Sequence, residues 1–400
     1  MLARRLILDF EGWRLHGVRP FAQFNAKDGR WTWHTSHAAW PFRDGSGDAL
    51  VEVQAALRWC GENVGGAGAA IGFTGYDAAR QIEPRAFNPN SPPDDLQVPD
   101  LRLVFCEAIE ELRIADCGLR IDTENTAAPQ SPASAIAEHY FGAVARIQED
   151  IAAGDIYQAN LTQRFEAPLP CSPGDLYDRL RAVHPMPFSA LLEWDDLAVV
   201  SNSPERFLSL KGRRLLAQPI KGTIRRGATH DEDEQLKLAL QHSAKDRAEN
   251  VMIVDLLRND LGRVCEWGSV RAPVLCAVQT FPTLHHLVST VTGTLRPGLD
   301  GVDALRAAFP CGSITGAPKI RAMQIIDELE SVRRGIAMGA IGYFGFDGDM
   351  EWNVAIRTAT CQASRAYFHV GGGIVADSTP IAEGNEMLLK AQALRAAVGG

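Results

Sequence analysis

A polar, small-residue, proline-bearing run, DTENTAAPQSPASA at Asp122–Ala135, divides this chain in two. It offers little to bury and reads as a linker. Before it, the first 121 residues are rich in Trp and carry short runs such as LRLVFCEAIEELRIADCGLRI, whose alternation predicts antiparallel sheet. After it, residues 136–400 mix strand-like and helix-like segments. SAIAEHYFGAVARIQEDIAAGDIYQANLTQRFEAP predicts an amphipathic helix capped by Ser134, a turn at Gly154-Asp155, then a strand. ALLEWDDLAVVSNS and RFLSLKGRRLLAQP read as strands, and DEDEQLKLALQHSAKDRAENVMIVDLLRNDLGRV reads as helix. The chain closes with GAIGYFGFDG, MEWNVAIRTATCQ and RAYFHVGGGIV as strands and a helix from about Ala382. Hairpins interleaved with helices fit an α+β fold better than a regular βαβ series.

Charge and composition exclude several function classes. The formal net charge is −9, and no basic stripe interleaved with aromatics occurs, which argues against a general nucleic-acid binder. A local cation cluster still suffices for a small anionic substrate. No apolar run is long enough to span a bilayer. The start, MLARRLILDFEGWRLHG, runs from a short apolar stretch into Asp9, Glu11 and Arg14, so it reads as a first strand rather than a signal peptide. Cys60, Cys106, Cys117, Cys171, Cys265, Cys276, Cys311 and Cys361 are scattered without a C-x-x-C pair. Buried thiols in a reducing cytoplasm are the expectation.

Several stretches carry residue types suited to chemistry. In AQPIKGTIRRG, Lys221 stands between Pro219-Ile220 and Gly222-Thr223, a shaped backbone that a surface lysine does not need. Glu249 opens the helix that contains Met252, Ile253, Leu256 and Leu257, and Glu383 and Glu386 lie three apart, on one face of a helix. Three carboxylates from two helices suit Mg²⁺, which prefers oxygen ligands; solvated helix acids are the plainer alternative. Gly371, Gly372 and Gly373 follow a strand, and their N–H groups either face an anion or mark a bulge. Gly312, Ser313, Thr315, Gly316 and Pro318 precede a helix and suit either an anion or simple capping. Arg357 lies in an apolar context and is a candidate for a substrate carboxylate. Glu205 follows a Ser-Pro turn and either points into a cleft or pairs with a neighbour such as Arg206. His286 sits in FPTLHHLVSTV, where a histidine is more often structural.

IYQANLTQRF, SNSPERF, PIKGTIRRG, KDRAENVMIVDLLRNDLGRV, FPCGSITGAPK, GAIGYFGF, AIRTA and GGGIVADS followed by the E-x-x-E-x-x-x-K-A run occur in that order. Together they resemble the chorismate-binding enzymes, the family of anthranilate synthase large components, aminodeoxychorismate synthase components I and the isochorismate and salicylate synthases. The resemblance covers Ser134 to the C-terminus, and GFTGYDAARQIE at Gly72–Glu83 is similar to the N-terminal segment of the aminating members. It implies large β-sheets flanked by helices, with the N-terminal segment packed on the catalytic core.

Within that family Gln158 stands where water-adding members place a lysine base, and Lys221 stands in P-I-K-G-T, as in the members that aminate C4, where anthranilate synthases usually have alanine. The resemblance therefore implies amination of chorismate at C4, with Lys221 as a nucleophile at C2 rather than an electrostatic clamp. It implies Glu205 as acid/base, Glu249, Glu383 and Glu386 as Mg²⁺ ligands, and Gly222 and Thr223 along the ring carboxylate. It gives Arg357 and Gly371–Gly373 the enolpyruvyl carboxylate, and His286, Ser313 and Lys390 site positions. Ala337, Thr379 and Gly384 depart from common family residues. No glutaminase or lyase sequence is recognisable here, so the expected partners are a separate glutamine amidotransferase subunit, or free ammonia, and a downstream aminodeoxychorismate lyase. The rivals are 2-amination as in anthranilate synthase and a non-catalytic regulatory or scaffold subunit.

Overall fold

The computed structural model describes residues 2–114 and 138–398. The linker at 122–135, the cap at Ser134 and Cys117 lie outside them. Nineteen strands join through antiparallel pairs into one continuous sheet among the described residues. Strand Trp13–Lys27 is where the sheet divides. One edge pairs along its length with Leu101–Arg113; the other pairs first with Arg5–Phe10 and then with Arg30–Thr35.

Two layers run out from this strand. The first continues through Leu101–Arg113, Ala69–Thr74, Ala340–Gly345, Met350–Val354, Arg206–Lys211, Arg214–Gln218 and Leu284–Thr294. Ile220–Arg225 and the edge strand Arg271–Thr280 both pair with Leu284–Thr294. The second continues through Arg5–Phe10, Phe188–Glu193, Ala198–Ser203, Thr358–Gln362, Arg365–Ile374 and Gln158–Pro168.

Side-chain alternation makes these strands two-faced. Leu6, Leu8 and Phe10 join Ile71, Phe73, Leu192, Val199 and Ile341 in a core shared by both layers. The intervening residues face outward: Ala70, Ala340 and Phe344 into a core with helices Ala49–Asn63, Ala244–Gly262 and Gly301–Ala308. Leu191, Val200 and Phe368 pack against helices Glu138–Ala152, Pro173–Val183, Lys319–Leu329 and Pro380–Val398. Helices therefore cover both outer faces of a two-layer sheet. Strands apolar on both sides are what this burial requires, at roughly 1.5–3 kcal/mol for each large side chain removed from water. Segments on either side of residues 115–137 share this sheet, since Ala69–Thr74 pairs with Ala340–Gly345 and Arg5–Phe10 with Phe188–Glu193.

The structure corrects two local expectations and resolves a third. The long helix expected over DEDEQ…GRV is broken: His230–His242 ends at Ser243, whose extended backbone and side-chain acceptance from the Asp246 N–H start Ala244–Gly262 afresh. Gly371–Gly373 lies in strand Arg365–Ile374, within the RAYFHVGGGIV run read as a strand, and its pairing is unbroken, so the glycines do not mark a bulge. Ser313 is not at a helix N-terminus; it sits in the short 3₁₀ turn Gly312–Ile314, before helix Lys319–Leu329 begins. No helix among the described residues is long and apolar enough to cross a membrane.

Candidate active site

Glu205 and Arg357 stand where the chain crosses between layers. Ala198–Ser203 and Thr358–Gln362 belong to one layer, Arg206–Lys211 and Met350–Val354 to the other. The crossings are bonded to each other. Ser203 Oγ donates to the Val354 carbonyl (2.7 Å), the Val354 N–H to the Glu205 carbonyl (3.0 Å) and the Asn202 N–H to the Arg357 carbonyl (3.1 Å). Arg357 holds φ +49°, in the left-handed region that non-glycine residues seldom adopt.

Lys221 lies in strand Ile220–Arg225 and is half-buried. Its Nζ donates to the Ser313 carbonyl (3.1 Å) and makes no ion pair among the described residues. Burial lowers its pKa against the pull of Glu205 and Glu249, and Lys390 adds to the lowering. Glu205 is 3% exposed, and its Oε1 has no hydrogen-bond partner. Burial pushes its pKa up to about 7, against the Ser313 side chain, Lys221 and the Ile220 N–H. Arg206 is not its partner; that guanidinium pairs with Glu351 and Glu11. Gly222 takes φ +81°, and a Cβ there would come within 2.9 Å of the Asp246 side chain, so glycine lets the Lys221 strand lie against helix Ala244–Gly262.

Thr223 and His286 face each other across adjacent strands, Thr223 Oγ1 to His286 Nδ1 at 2.8 Å. His286 Nε2 is buried without a partner. Burial, then Arg357, lowers the His286 pKa to about 4, so the ring is neutral at ordinary pH. No carboxylate pairs with Arg357 among the described residues, and burial lowers its pKa too. A desolvated, unpaired guanidinium is an anion receptor waiting for its anion.

Gly371, Gly372 and Gly373 pair with Thr162, Leu161 and Asn160 on one edge. The neighbouring Thr358–Gln362 strand reaches only as far as Phe368, so their other edge is open. A Cβ at Gly371 would sit 1.8 Å from the Leu161 carbonyl oxygen, and one at Gly373 1.8 Å from Gln158 Nε2. Gln158 is 1% exposed, and neither polar atom of its carboxamide has a partner. That orphaned amide adds to what the sequence suggested for Gln158, which was only the absence of a lysine base. Arg334 was missed altogether. Its buried guanidinium donates to the Ile314 carbonyl (2.9 Å), the Asn160 carbonyl (2.6 Å) and Glu330, tying the Ser313 turn to the strand behind the glycines. The i,i+4 spacing of Glu330 and Arg334 was the available signal.

The three candidate metal ligands occupy different environments. Glu383 is buried and accepts from Ser378 Oγ (2.6 Å). Glu386, one turn on, is exposed and pairs with Lys390 (2.8 Å), whose Nζ also donates to the Gly371 carbonyl (3.1 Å). Partial burial raises the Glu386 pKa, but Lys390, Lys245 and Lys221 together lower it and the net direction is down. Burial raises the Glu249 pKa against Lys221 and Lys245, and Glu383 adds to the rise. Among the described residues no three His, Cys, Asp or Glu side chains already cluster tightly enough to hold a metal. The donors are all carboxylate oxygens, the chemistry that Mg²⁺ takes.

The geometry thus brings a lysine, a buried carboxyl group with one free oxygen, a neutral imidazole and an arginine without a carboxylate partner among the described residues to one region at the seam of the two layers, with Glu249 near the lysine. Comparison with known proteins gives the family of the chain. The chain matches the chorismate binding enzyme family over residues 4–396, and it belongs to that family. It is 39% identical to aminodeoxychorismate synthase component 1 of Bacillus subtilis, over 83% of this chain and 77% of that one. It is 36% identical to anthranilate synthase component 1 of Bacillus caldotenax, over 87% of this chain and 77% of that one. Its fold is similar to the crystal structure of anthranilate synthase component I from Streptococcus pneumoniae, with a TM-score of 0.79 at 28% identity, covering 96% of this chain and 92% of that chain.

Proposed function

We propose that this chain replaces the C4 hydroxyl of chorismate with an amine, giving 4-amino-4-deoxychorismate. The observation that carries the reading is Lys221: half-buried within the electrostatic reach of Glu205, Glu249 and Lys390, held by the Ser313 carbonyl, and with its pKa lowered. A desolvated amine in that state is nucleophilic. Its nitrogen bonds to C2 of the ring, both ring double bonds shift by one carbon, and the C4–O bond breaks. Glu205, which burial keeps largely protonated up to about pH 7, gives its proton to the departing hydroxyl, which leaves as water. Ammonia then bonds to C4, both double bonds shift back, the C2–N bond breaks to free Lys221, and the proton shed by the new amine returns to Glu205. Water is lost and ammonia gained overall.

The substrate is a dianion. Arg357 and the open edge of Gly371–Gly373 take the enolpyruvyl carboxylate. Gly222, Thr223 and Ser313 line the ring carboxylate, and His286 and Lys390 border the site. Glu249, Glu383 and Glu386 would hold Mg²⁺, which supplies positive charge to the ring carboxylate when bound. The ammonia comes from glutamine through a separate amidotransferase subunit, in keeping with the "component 1" names of the relatives. A lyase then releases pyruvate to leave 4-aminobenzoate for folate synthesis in the cytoplasm. Anthranilate synthase relatives of similar identity support the second reading, 2-amination with loss of pyruvate.

The test is a product assay with chorismate, Mg²⁺ and ammonium, resolved by chromatography and mass. The expected product retains pyruvate and becomes 4-aminobenzoate only when aminodeoxychorismate lyase is added. Fluorescent anthranilate without lyase overturns the reading in favour of 2-amination, and no turnover favours a non-catalytic role.

A further inference from the structure

Helix Ala244–Gly262 has an outer face that no other described residue covers along its length. Val251, Asp255 and Arg258 stand exposed along it. On one side, between the helix and edge strand Arg271–Thr280, runs a groove of about 820 Å³; on the other, against Pro310, Ala317 and Pro318, runs one of about 460 Å³. Met252 and Asp255 line both, so the helix is a ridge between two grooves. Val251 is 43% exposed and Leu275 47%, where large apolar residues normally find cover. Arg247, Arg258 and Arg271 line the larger groove against one acid, Asp255, although the whole chain carries −9.

This face lies one layer from the candidate site. The helix that forms the ridge carries Glu249. The smaller groove is floored by Pro310, Ala317 and Pro318, which flank the Ser313 turn, and a Cβ at Gly312 would meet Leu256 of the same helix at 2.5 Å. The edge strand itself is unsuited to pairing with another strand. It contains Pro273, its register shifts twice, and Cys276 holds φ +53°. An occupant therefore binds with side chains in the grooves rather than by adding a strand.

We infer that this ridge is the docking surface for the protein that supplies ammonia, and that the partner brings apolar side chains to Val251 and Leu275 with carboxylates around Arg247, Arg258 and Arg271. The inference rests on the amination reading above. Leu256, Pro310 and Ala317 line the smaller groove, and Leu256 packs against Gly312 beside Ser313, so this face adjoins the wall of the site.

Val251→Glu and Arg258→Glu test it in the full chain, with the glutamine amidotransferase subunit of the same organism as probe. Turnover is measured with glutamine and, separately, with ammonium, and association by sedimentation. Each variant is expected to lose roughly tenfold or more of glutamine-dependent turnover and of association, as a charge reversal at an interface centre does, while ammonium-dependent turnover stays within about twofold. Wild-type association and glutamine turnover in both variants overturn the docking surface. So does a change in self-association of this chain with partner binding intact, which gives the face to a second copy. Absence of an aminated product from ammonium in the wild type sinks the amination reading instead, and sedimentation still decides the surface.

Discussion

At the scale of single residues, Lys221 and Glu205 are set against each other by burial. Lys221→Ala is expected to lower 4-amination by at least about 10²-fold, the least that removal of a covalent nucleophile costs. Product formation at the wild-type rate refutes the covalent role. Glu205 also links the site to stability. Its carboxyl pKa is raised from 4.5 to about 7 in the folded chain, so the folded state holds a proton that the unfolded state releases. Its contribution is full below pH 4.5 and lost as pH rises through about 7. Glu205→Gln removes that penalty and is expected to stabilise the chain by on the order of 2 kcal/mol at pH 8, with a gain that shrinks towards pH 5. Denaturant melts of both proteins at the two pH values check this; an equal gain at both excludes the buried charge as its cause. The sequence made Lys221 and Glu205 candidates because each stands in a proline- or glycine-shaped turn. It did not show that Glu205 Oε1 and both polar atoms of Gln158 lack partners, because that depends on what other elements bring near them.

At the scale of elements, the glycine strand and the crossings decide the site's shape. Gly371 and Gly372 are adjacent, yet the structure separates their roles. A Cβ at 371 meets the fixed Leu161 carbonyl at 1.8 Å, whereas one at 372 has Glu383 Oε2 at 3.3 Å and Lys390 Nζ at 3.7 Å as its nearest neighbours. Gly371→Ala is expected to destabilise by about 1–3 kcal/mol or more through overpacking against backbone, while Gly372→Ala keeps most of its stability. Thermal melts rank the two, and the reverse order contradicts the packing argument. The run of glycines was legible as a place of close approach. That they continue the RAYFHVGGGIV strand without a bulge was not, because three glycines carry no side-chain pattern, and the unbroken pairing with Thr162, Leu161 and Asn160 decides it. The long helix misread across Ser243 has a similar cause. Helical periodicity continues through the break, and only the capping bond to Asp246 reveals a new start.

At the scale of the whole molecule, two buried histidines make the fold acid-sensitive. Burial lowers His286 to about 4 and His369 to about 3, from 6.5. Both rings stay neutral in the folded chain, while the unfolded chain protonates them below 6.5. Their contribution is full above pH 6.5 and lost as pH falls through about 4 and then about 3. His369, whose ring contacts Thr162 Oγ1, is the cleaner probe. His369→Gln is expected to remove about one proton from the slope of unfolding free energy against pH between 6 and 4, and an unchanged slope places the acid sensitivity elsewhere. From sequence alone came the α+β class, the family resemblance, and the residue types of the site, because these reside in local patterns and in the order of motifs along one chain. Tertiary structure decided that strands from before and after residues 115–137 share one sheet. It placed Glu205 and Arg357 at bonded crossings between layers, with no carboxylate paired to Arg357 among the described residues. Burial and pairing depend on which distant segments meet, and long-range strand pairing sets that, which no local stretch of sequence encodes.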